Sequence, residues 1–545
     1  MSTPPLLRPA GLHAYVAIAA AMINAVTRVT LIPIFVTPLF DNVLYAGELS
    51  GLSQIFLTAG AIALLGAGAL WVQDAFFGIS AARMASTWRR FLYATLLRRP
   101  PGHLGGTSGG LSNRILTDLR EVELYIRFGM GSIVAETLTF VGVVVVLFVT
   151  NWKATLTLLV LVAPVALVLR YVGRLVQNTS EDALGHTELI GQHLQEGFKH
   201  HTTVRSYNAD TFMQQRLAPH DARAVAALTT RSRLAALQTP LVQVLVFTAV
   251  AILIFVLASS VQRGESTMGE LVTFVGLVAL LATPVQLLPH AYALYRQAQG
   301  AEDRLRELAE HIEPIINQAP AEHTEAGLTI HDVSFGYEDG TNVLSNINVQ
   351  LPPTGLVALT GRSGAGKSTL LRLLLGFEQP RTGSLTFAGH NLSARLVDAA
   401  VRAQSAYVPQ MYDLLAGSLR ANIALGRDIT DEAIWESLRA VGIASEVQEL
   451  AGGLERELGE DGLGFSGGQM QRIAIARALV AAPSIIILDE PTSNVDEATE
   501  HEINELLVQL AKRHLVIAVT HRPALTERAN THLQLAGGTL RVEHR

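Results

Sequence analysis

Six apolar stretches, each near or beyond the roughly 20 residues an α-helix needs to cross a bilayer, crowd the chain before Tyr295 and constrain everything else in it. They run near Leu12–Phe40, Leu52–Phe77, Ser132–Asn151, Ala154–Tyr171, Pro240–Val261 and Met268–Tyr292. A soluble core cannot absorb that much apolar sequence. Charged residues are 16% of the 545, against roughly 25% in soluble domains, and mean hydropathy is +0.32. The first stretch is longer than the apolar core of a cleaved leader and lacks a small-residue cleavage site, so it reads as a retained helix.

The connections sort the two sides of the membrane. Short connections carry no basic residue, Lys153 and Arg263 in turn, whereas the two long ones each exceed fifty residues. The first long connection holds eight arginines between Arg83 and Arg127, and the second holds seven basic residues between Arg174 and Arg233. Basic residues mark the cytoplasmic side, which places both long connections and both termini in the cytosol. Apolar and basic residues recur at helical spacing through Ala81–Arg99. That predicts helices continuing out of the membrane rather than flexible loops; helices lying on anionic lipid are the alternative.

Beyond the acidic stretch from Glu302 to Glu325 the pattern changes to short β-type runs alternating with helical ones. The expected organisation is a membrane domain over 1–300, a linker over 301–327 and an α/β domain over 328–545. A net charge of -6 gives no reason to invoke nucleic acid, and the absence of cysteine excludes disulfides and thiolate metal sites.

The α/β part carries the most specific motif in the chain. Gly361-Arg-Ser-Gly-Ala-Gly-Lys-Ser368 follows the apolar run Gly355–Thr360 and opens a leucine-rich helix, as a phosphate-binding loop must. Gly361, Gly364 and Gly366 let the backbone curl so that N–H groups, including those of Ser363 and Thr369, point at phosphate oxygens. Lys367, one of only four lysines, would reach the β- and γ-phosphates, and the Ser368 hydroxyl would serve Mg²⁺, which takes oxygen ligands.

Two further runs end in polar residues. Ile485-Ile-Ile-Leu-Asp-Glu490 is a buried strand closing on two carboxylates: Asp489 is placed to hold Mg²⁺ and Glu490 to accept the proton of an attacking water. Leu515–Val519 ends at Thr520-His521, so His521 faces the ligand crevice at the carboxyl end of a parallel sheet and can contact a γ-phosphate. Phe465-Ser-Gly-Gly-Gln469 precedes a helix and makes a second anion site through Ser466 and Gly468. Since one phosphate loop already serves the chain's own nucleotide, the second suggests docking of another copy's.

Taken in order, these motifs resemble an ABC exporter half-transporter over essentially the full length. The implied fold is a membrane α-helical domain, six transmembrane helices with long cytoplasmic extensions, fused to an α/β P-loop NTPase ATP-binding cassette. The resemblance implies that Tyr337 stacks on adenine, that Gln410 is a Q-loop glutamine sensing Mg²⁺, and that Ser493–Asp496 is a D-loop. It also implies that Gly459–Gly462 is an exporter X-loop and that coupling helices lie near Asp118–Leu124 and Thr203–Asn208. ATP and Mg²⁺ are the implied cofactors. The expected partner is a second copy of the chain, with a related, degenerate half-transporter as the alternative. The expected location is the inner (cytoplasmic) membrane. Intact Glu490 and His521 disfavour a non-transporting regulator.

For the cargo, Asn24–Arg28, Thr37–Asp41, Glu196–Lys199 and Thr239-Pro240 are similar to the bacterial lipid A flippase group. Asn24, Arg28 and Arg170 are the candidate cavity residues. Arg28 lies well inside the first apolar stretch, where it either holds an anionic head group or pairs with a neighbouring group such as Asn24. Other basic residues of that flippase have no counterpart here, which leaves another lipid, a hydrophobic drug, a peptide or a small thiol as cargo.

Overall fold

The computed structural model describes residues 11–47, 49–99, 108–310, 327–337, 341–387, 390–391, 404–410, 414–458, 465–493 and 495–544, with backbone only for parts of 162–188 and 235–246. The chain divides into two compact units. The first holds α1 (Leu12–Pro38), α2 (Leu52–Leu96), α3 (Ser108–Leu124), α4 (Gly131–Thr150), α5 (Trp152–Lys199), α6 (His201–Ser206), α7 (Asp210–Gln262), α8 (Met268–Leu280) and α9 (Ala282–Glu310).

Four helical stretches among the described residues are long and apolar enough to cross a membrane: Leu12–Tyr45, Leu52–Leu96, Gly110–Thr150 and Met268–Ala309. The fourth and fifth expected spans fall inside α5 and α7, whose described side chains give the shorter apolar runs Trp152–Leu161 and Phe247–Gln262.

The helices continue past the apolar runs for a visible reason. In α2 the buried residues Ala69, Gln73, Phe77, Ala81, Ala85, Trp88, Leu92 and Leu96 recur every three or four positions. That stripe runs unbroken from the apolar span into the arginine-rich segment, so one face stays covered along the whole helix. Phe77, Trp88 and Leu92 pack there with Leu119 and Val122 of α3 and Ala298, Ala301 and Leu305 of α9. A second cluster joins Val29, Val143, Leu147, Leu158, Leu253, Leu257, Phe274 and Leu277 from α1, α4, α5, α7 and α8.

One expectation needs correction. Asp118–Leu124 is no short coupling helix: it is the end of α3, which a π-helical turn at Tyr125–Met130 joins to α4. Leu119, Val122, Tyr125 and Ile126 form an apolar stripe that binds this segment into the bundle. Asp118, 4% exposed, accepts from Arg304 Nε at 3.0 Å and Nη2 at 2.6 Å, tying α3 to α9. At the other expected position the short helix α6 stands between α5 and α7. Helix α9 continues to Glu310, into the expected linker, and residues 311–326 lie outside the described residues.

At one end of α1, a π-helical turn, Leu39–Tyr45, follows Pro38, which lacks an N–H for the regular ladder. It carries Asp41, whose Oδ1 accepts from Gly269 N at 2.8 Å and Oδ2 from Thr267 Oγ1 at 2.7 Å. Thr267 is also the N-cap of α8, in a capping box with Glu270.

The second unit contains β1 (Leu328–Phe335), β2 (Leu344–Leu351), β3 (Gly355–Gly361), α10 (Lys367–Leu374), β4 (Thr382–Phe387), β5 (His390–Asn391), β6 (Ser405–Val408), β7 (Gly417–Ser418), α11 (Leu419–Ala424), α12 (Asp431–Ala440), α13 (Ala444–Glu449), β8 (Glu457–Leu458), α14 (Gly467–Leu479), β9 (Ile485–Asp489), α15 (Glu497–Leu510), β10 (Leu515–Val519), α16 (Pro523–Arg528), β11 (Thr531–Ala536) and β12 (Thr539–His544). Its main sheet has the order β12-β11-β3-β10-β9-β6, parallel except for the edge strand β12. A smaller antiparallel sheet has the order β2-β1-β4-β5.

Strand alternation divides the core. Val357, Leu359, Ile485, Ile487, Ile517 and Val519 pack toward the antiparallel sheet and α10. Leu356, Ala358, Ile486, Leu488, Val516 and Ala518 pack toward the other helices. Both faces are covered, which is why these strands read as continuous apolar runs.

Candidate nucleotide site

Three neighbouring parallel strands, β3, β10 and β9, end side by side. Val519 lies opposite both Leu359 and Asp489 in register, so the phosphate loop, the paired carboxylates and His521 emerge along one edge of the sheet. Ligands of open α/β sheets bind at this carboxyl edge. Thr520 N donates to Leu359 O at 3.1 Å and Glu490 N to Val519 O at 3.0 Å, carrying the pairing one residue past each strand.

In the loop, Gly361 has φ 155° and a Cβ there would stand 2.4 Å from Leu535 O, so no side chain fits. Gly366 takes φ 101° as N-cap of α10, leaving the first helical N–H groups of Lys367, Ser368 and Thr369 at the loop mouth. Lys367 Nζ donates to Gly361 O at 2.8 Å and Arg362 O at 3.2 Å, which folds its ammonium over the curl where Ser363 and Gly364 also lie.

Glu490 is the best-supported side chain of the site. Gln410 Nε2 donates to its Oε2 at 2.9 Å, and His521 Nε2 stands 3.4 Å from its Oε1. Its backbone has φ 50°, the left-handed region that a residue with a Cβ rarely enters. Asp489, half-buried, has its carboxyl held above the usual range by burial and by the negative charge of Glu490, with Lys367 and a hydrogen bond from Tyr407 pulling the other way. Burial and the Asp489 charge push the Tyr407 phenol up to about 12.

The donor set fits magnesium. Ser368 offers a hydroxyl, Asp489 a carboxylate, and Gln410 an amide oxygen, since its nitrogen is turned to Glu490.

Tyr337 is placed by α10: its hydroxyl lies 3.2 Å from Thr369 Oγ1 and accepts from Arg372 at 3.3 Å, and its ring packs edge-on against Phe335. Ser466 caps α14, accepting from Gln469 N at 3.3 Å, while Gln469 Oε1 accepts from Ser466 N at 2.8 Å. Gly468 lies against Thr499 and Val495. The segment Gly459–Gly462 falls outside the described residues, as does Asn494 of Ser493–Asp496.

The fold is similar to that in the structure of a bacterial Atm1-family ABC exporter with ATP bound. The TM-score is 0.82 at 23% identity, covering 97% of this chain and 94% of that one. Residues 15–285 match the ABC transporter transmembrane region and residues 344–493 the ABC transporter cassette family. The chain is 30% identical over 465 residues to the ATP-dependent lipid A-core flippase of Chromobacterium violaceum, across 84% of this chain and 79% of the flippase. The chain belongs to the ABC transporter family. It is also 26% identical over 538 residues to ABC transporter B family member 1 of Dictyostelium discoideum, of which it spans only 58%.

Two residues of this ABC transporter's site escaped the sequence reading. Tyr407 sits three residues before Gln410 on β6, and strand alternation next to a carboxylate-bearing strand is the signal that marks it. Arg372 lies one turn along α10 from Thr369, where helical spacing directs it to Tyr337.

In the membrane unit, Arg28 is not paired with Asn24. Arg28 Nη1 donates to Glu136 Oε1 of α4 at 2.8 Å, while Asn24 Nδ2 donates to Gln73 Oε1 of α2 at 3.3 Å. Arg170 is exposed on α5.

Proposed function

We propose that two copies of this half-transporter hydrolyse MgATP and use it to move a lipid or another hydrophobic or amphipathic small molecule across the cytoplasmic membrane by alternating access. Both termini and both long helical extensions are then cytosolic, in keeping with the arginine-rich long connections. The observation that carries the reading is Glu490 held between Gln410 and His521 at hydrogen-bonding and near-contact distances.

Phosphoryl transfer asks the protein mainly for positioning and charge stabilisation. The N–H groups of Gly364, Gly366 and Lys367–Thr369 and the Lys367 ammonium orient the phosphates. Ser368, Gln410 and Asp489 would hold the magnesium ion, which when bound would neutralise charge on the phosphate oxygens. Glu490 takes the proton from the attacking water, Gln410 keeps that carboxylate turned toward the crevice, and His521 contacts the γ-phosphate. Tyr337 stacks on the adenine. Ser466 and Gly468 close the site from the second copy, so nucleotide joins the two cassettes and its hydrolysis loosens them.

The test is ATPase activity of the chain purified alone in lipid nanodiscs, beside Glu490→Gln, with a panel of lipids and apolar drugs. Turnover that vanishes in the variant and rises with one cargo class is the expected result. A folded wild-type chain without turnover would overturn the homodimer and direct the search to a partner chain.

A further inference from the structure

Within the apolar helices, the Arg28–Glu136 pair is asymmetric. The Arg28 side chain is 29% exposed and that of Glu136 7%. Glu136 holds Arg28 through Oε1 alone, and its Oε2 is buried with no hydrogen-bond donor among the described residues. A forked guanidinium–carboxylate pair makes two parallel bonds; this one makes a single bond and leaves an acceptor unmet, an unfavourable arrangement for a buried carboxylate. Arg28 is therefore the accessible member, and Glu136 is a counter-ion held on one side only.

Asn24 does not reinforce the pair, being occupied by Gln73, and Thr27 Oγ1 donates back to its own helix at Asn24 O. An anion approaching Arg28 thus meets a cation whose charge is already cancelled by a single replaceable contact.

We propose that Glu136 determines cargo specificity: by neutralising Arg28 it selects against amphiphiles with anionic head groups, and these bind only by displacing it. The site in this form favours neutral cargo. The inference rests on the reading of the chain as a carrier of amphipathic molecules.

The experiment compares binding of dodecyl phosphate and dodecyl maltoside to the full chain in phosphatidylcholine nanodiscs. Isothermal titration is run in the Glu490→Gln background so that turnover plays no part. Glu136→Gln is expected to tighten dodecyl phosphate roughly tenfold or more and leave dodecyl maltoside unchanged. The gain is expected to vanish in the Arg28→Gln/Glu136→Gln double variant. A gain that survives in the double variant, equal gains for both amphiphiles, or no gain overturns the assignment. Should Glu136→Gln lose ATP binding through misfolding, Glu136→Asp, which withdraws the carboxylate by one methylene, gives the same reading with a gain of about threefold; no gain there is equally fatal. Failure of every variant to bind dodecyl maltoside counts against the carrier reading as well, and is thereby distinguished from failure of Glu136 alone.

Discussion

The two oxygens of Glu490 face different partners: Oε2 accepts from Gln410 Nε2 at 2.9 Å and Oε1 stands 3.4 Å from His521 Nε2. Removing the imidazole should leave the carboxylate and the loop in place. His521→Ala is expected to lower kcat about 10²-fold with little change in nucleotide affinity. Steady-state kinetics beside fluorescent-nucleotide binding would check this; equal losses in both would place His521 in binding rather than in chemistry.

The Asp489 carboxyl is held above its usual range, first by burial and then by Glu490. A carboxyl raised in the folded state binds its proton more tightly there than in the unfolded chain, so folding loses stability as pH rises through that window. The penalty is absent below the unfolded value, sets in as pH climbs from there to the raised value, and is complete above it. In EDTA and without nucleotide, Asp489→Asn is therefore expected to raise the unfolding temperature of the chain at neutral pH. The gain should shrink to nothing as the pH falls below about 4. A variant less stable than wild type at pH 7 would contradict the assignment.

Asp118 is buried, and Arg304 supplies both hydrogen bonds to its Oδ1. Arg304→Met leaves the carboxylate without them. The cost should be about 2–3 kcal/mol, below the full range for a buried pair because Arg304 is itself 43% exposed. Thermal unfolding in detergent should show a fall of several degrees, and Arg304→Lys should recover part of it.

Helices α1 and α8 meet where Gly269 has no room for a side chain. A Cβ there would stand 2.6 Å from Thr37 O and 2.7 Å from Asp41 Oδ2. Gly269→Ala is expected to push Asp41 off the start of α8 and cost about 1–3 kcal/mol. Asp41→Ala should cost about 1 kcal/mol. The two effects should overlap rather than add when combined, because both remove the same hydrogen bonds.

Residue chemistry made the nucleotide half legible early. A phosphate loop between an apolar run and a leucine-rich helix has one structural meaning, and Asp489 and His521 could be placed because buried parallel strands are short and end visibly in polar residues. What stayed hidden depended on contacts between distant segments. Nothing near Arg28 in sequence announces Glu136, 108 positions away, and helical spacing nearby made Asn24 the natural partner. The coupling helix expected at Asp118–Leu124 failed for the same reason: its apolar stripe closes on α9, nearly two hundred residues downstream. Tyr407 lies three residues before Gln410, and only the pairing of β6 with β9 reveals what it faces.

Glu490 occupies a backbone conformation with φ 50°, one that glycine and asparagine adopt more comfortably than glutamate. Stability and chemistry therefore pull this position in opposite directions. Laboratory evolution selecting only for heat resistance, with catalysis left unselected, should drift here toward Gly or Asn. Lineages kept under selection for turnover should hold the acid and accept the strain, so the two regimes would diverge at this one codon before they differ in the surrounding strands.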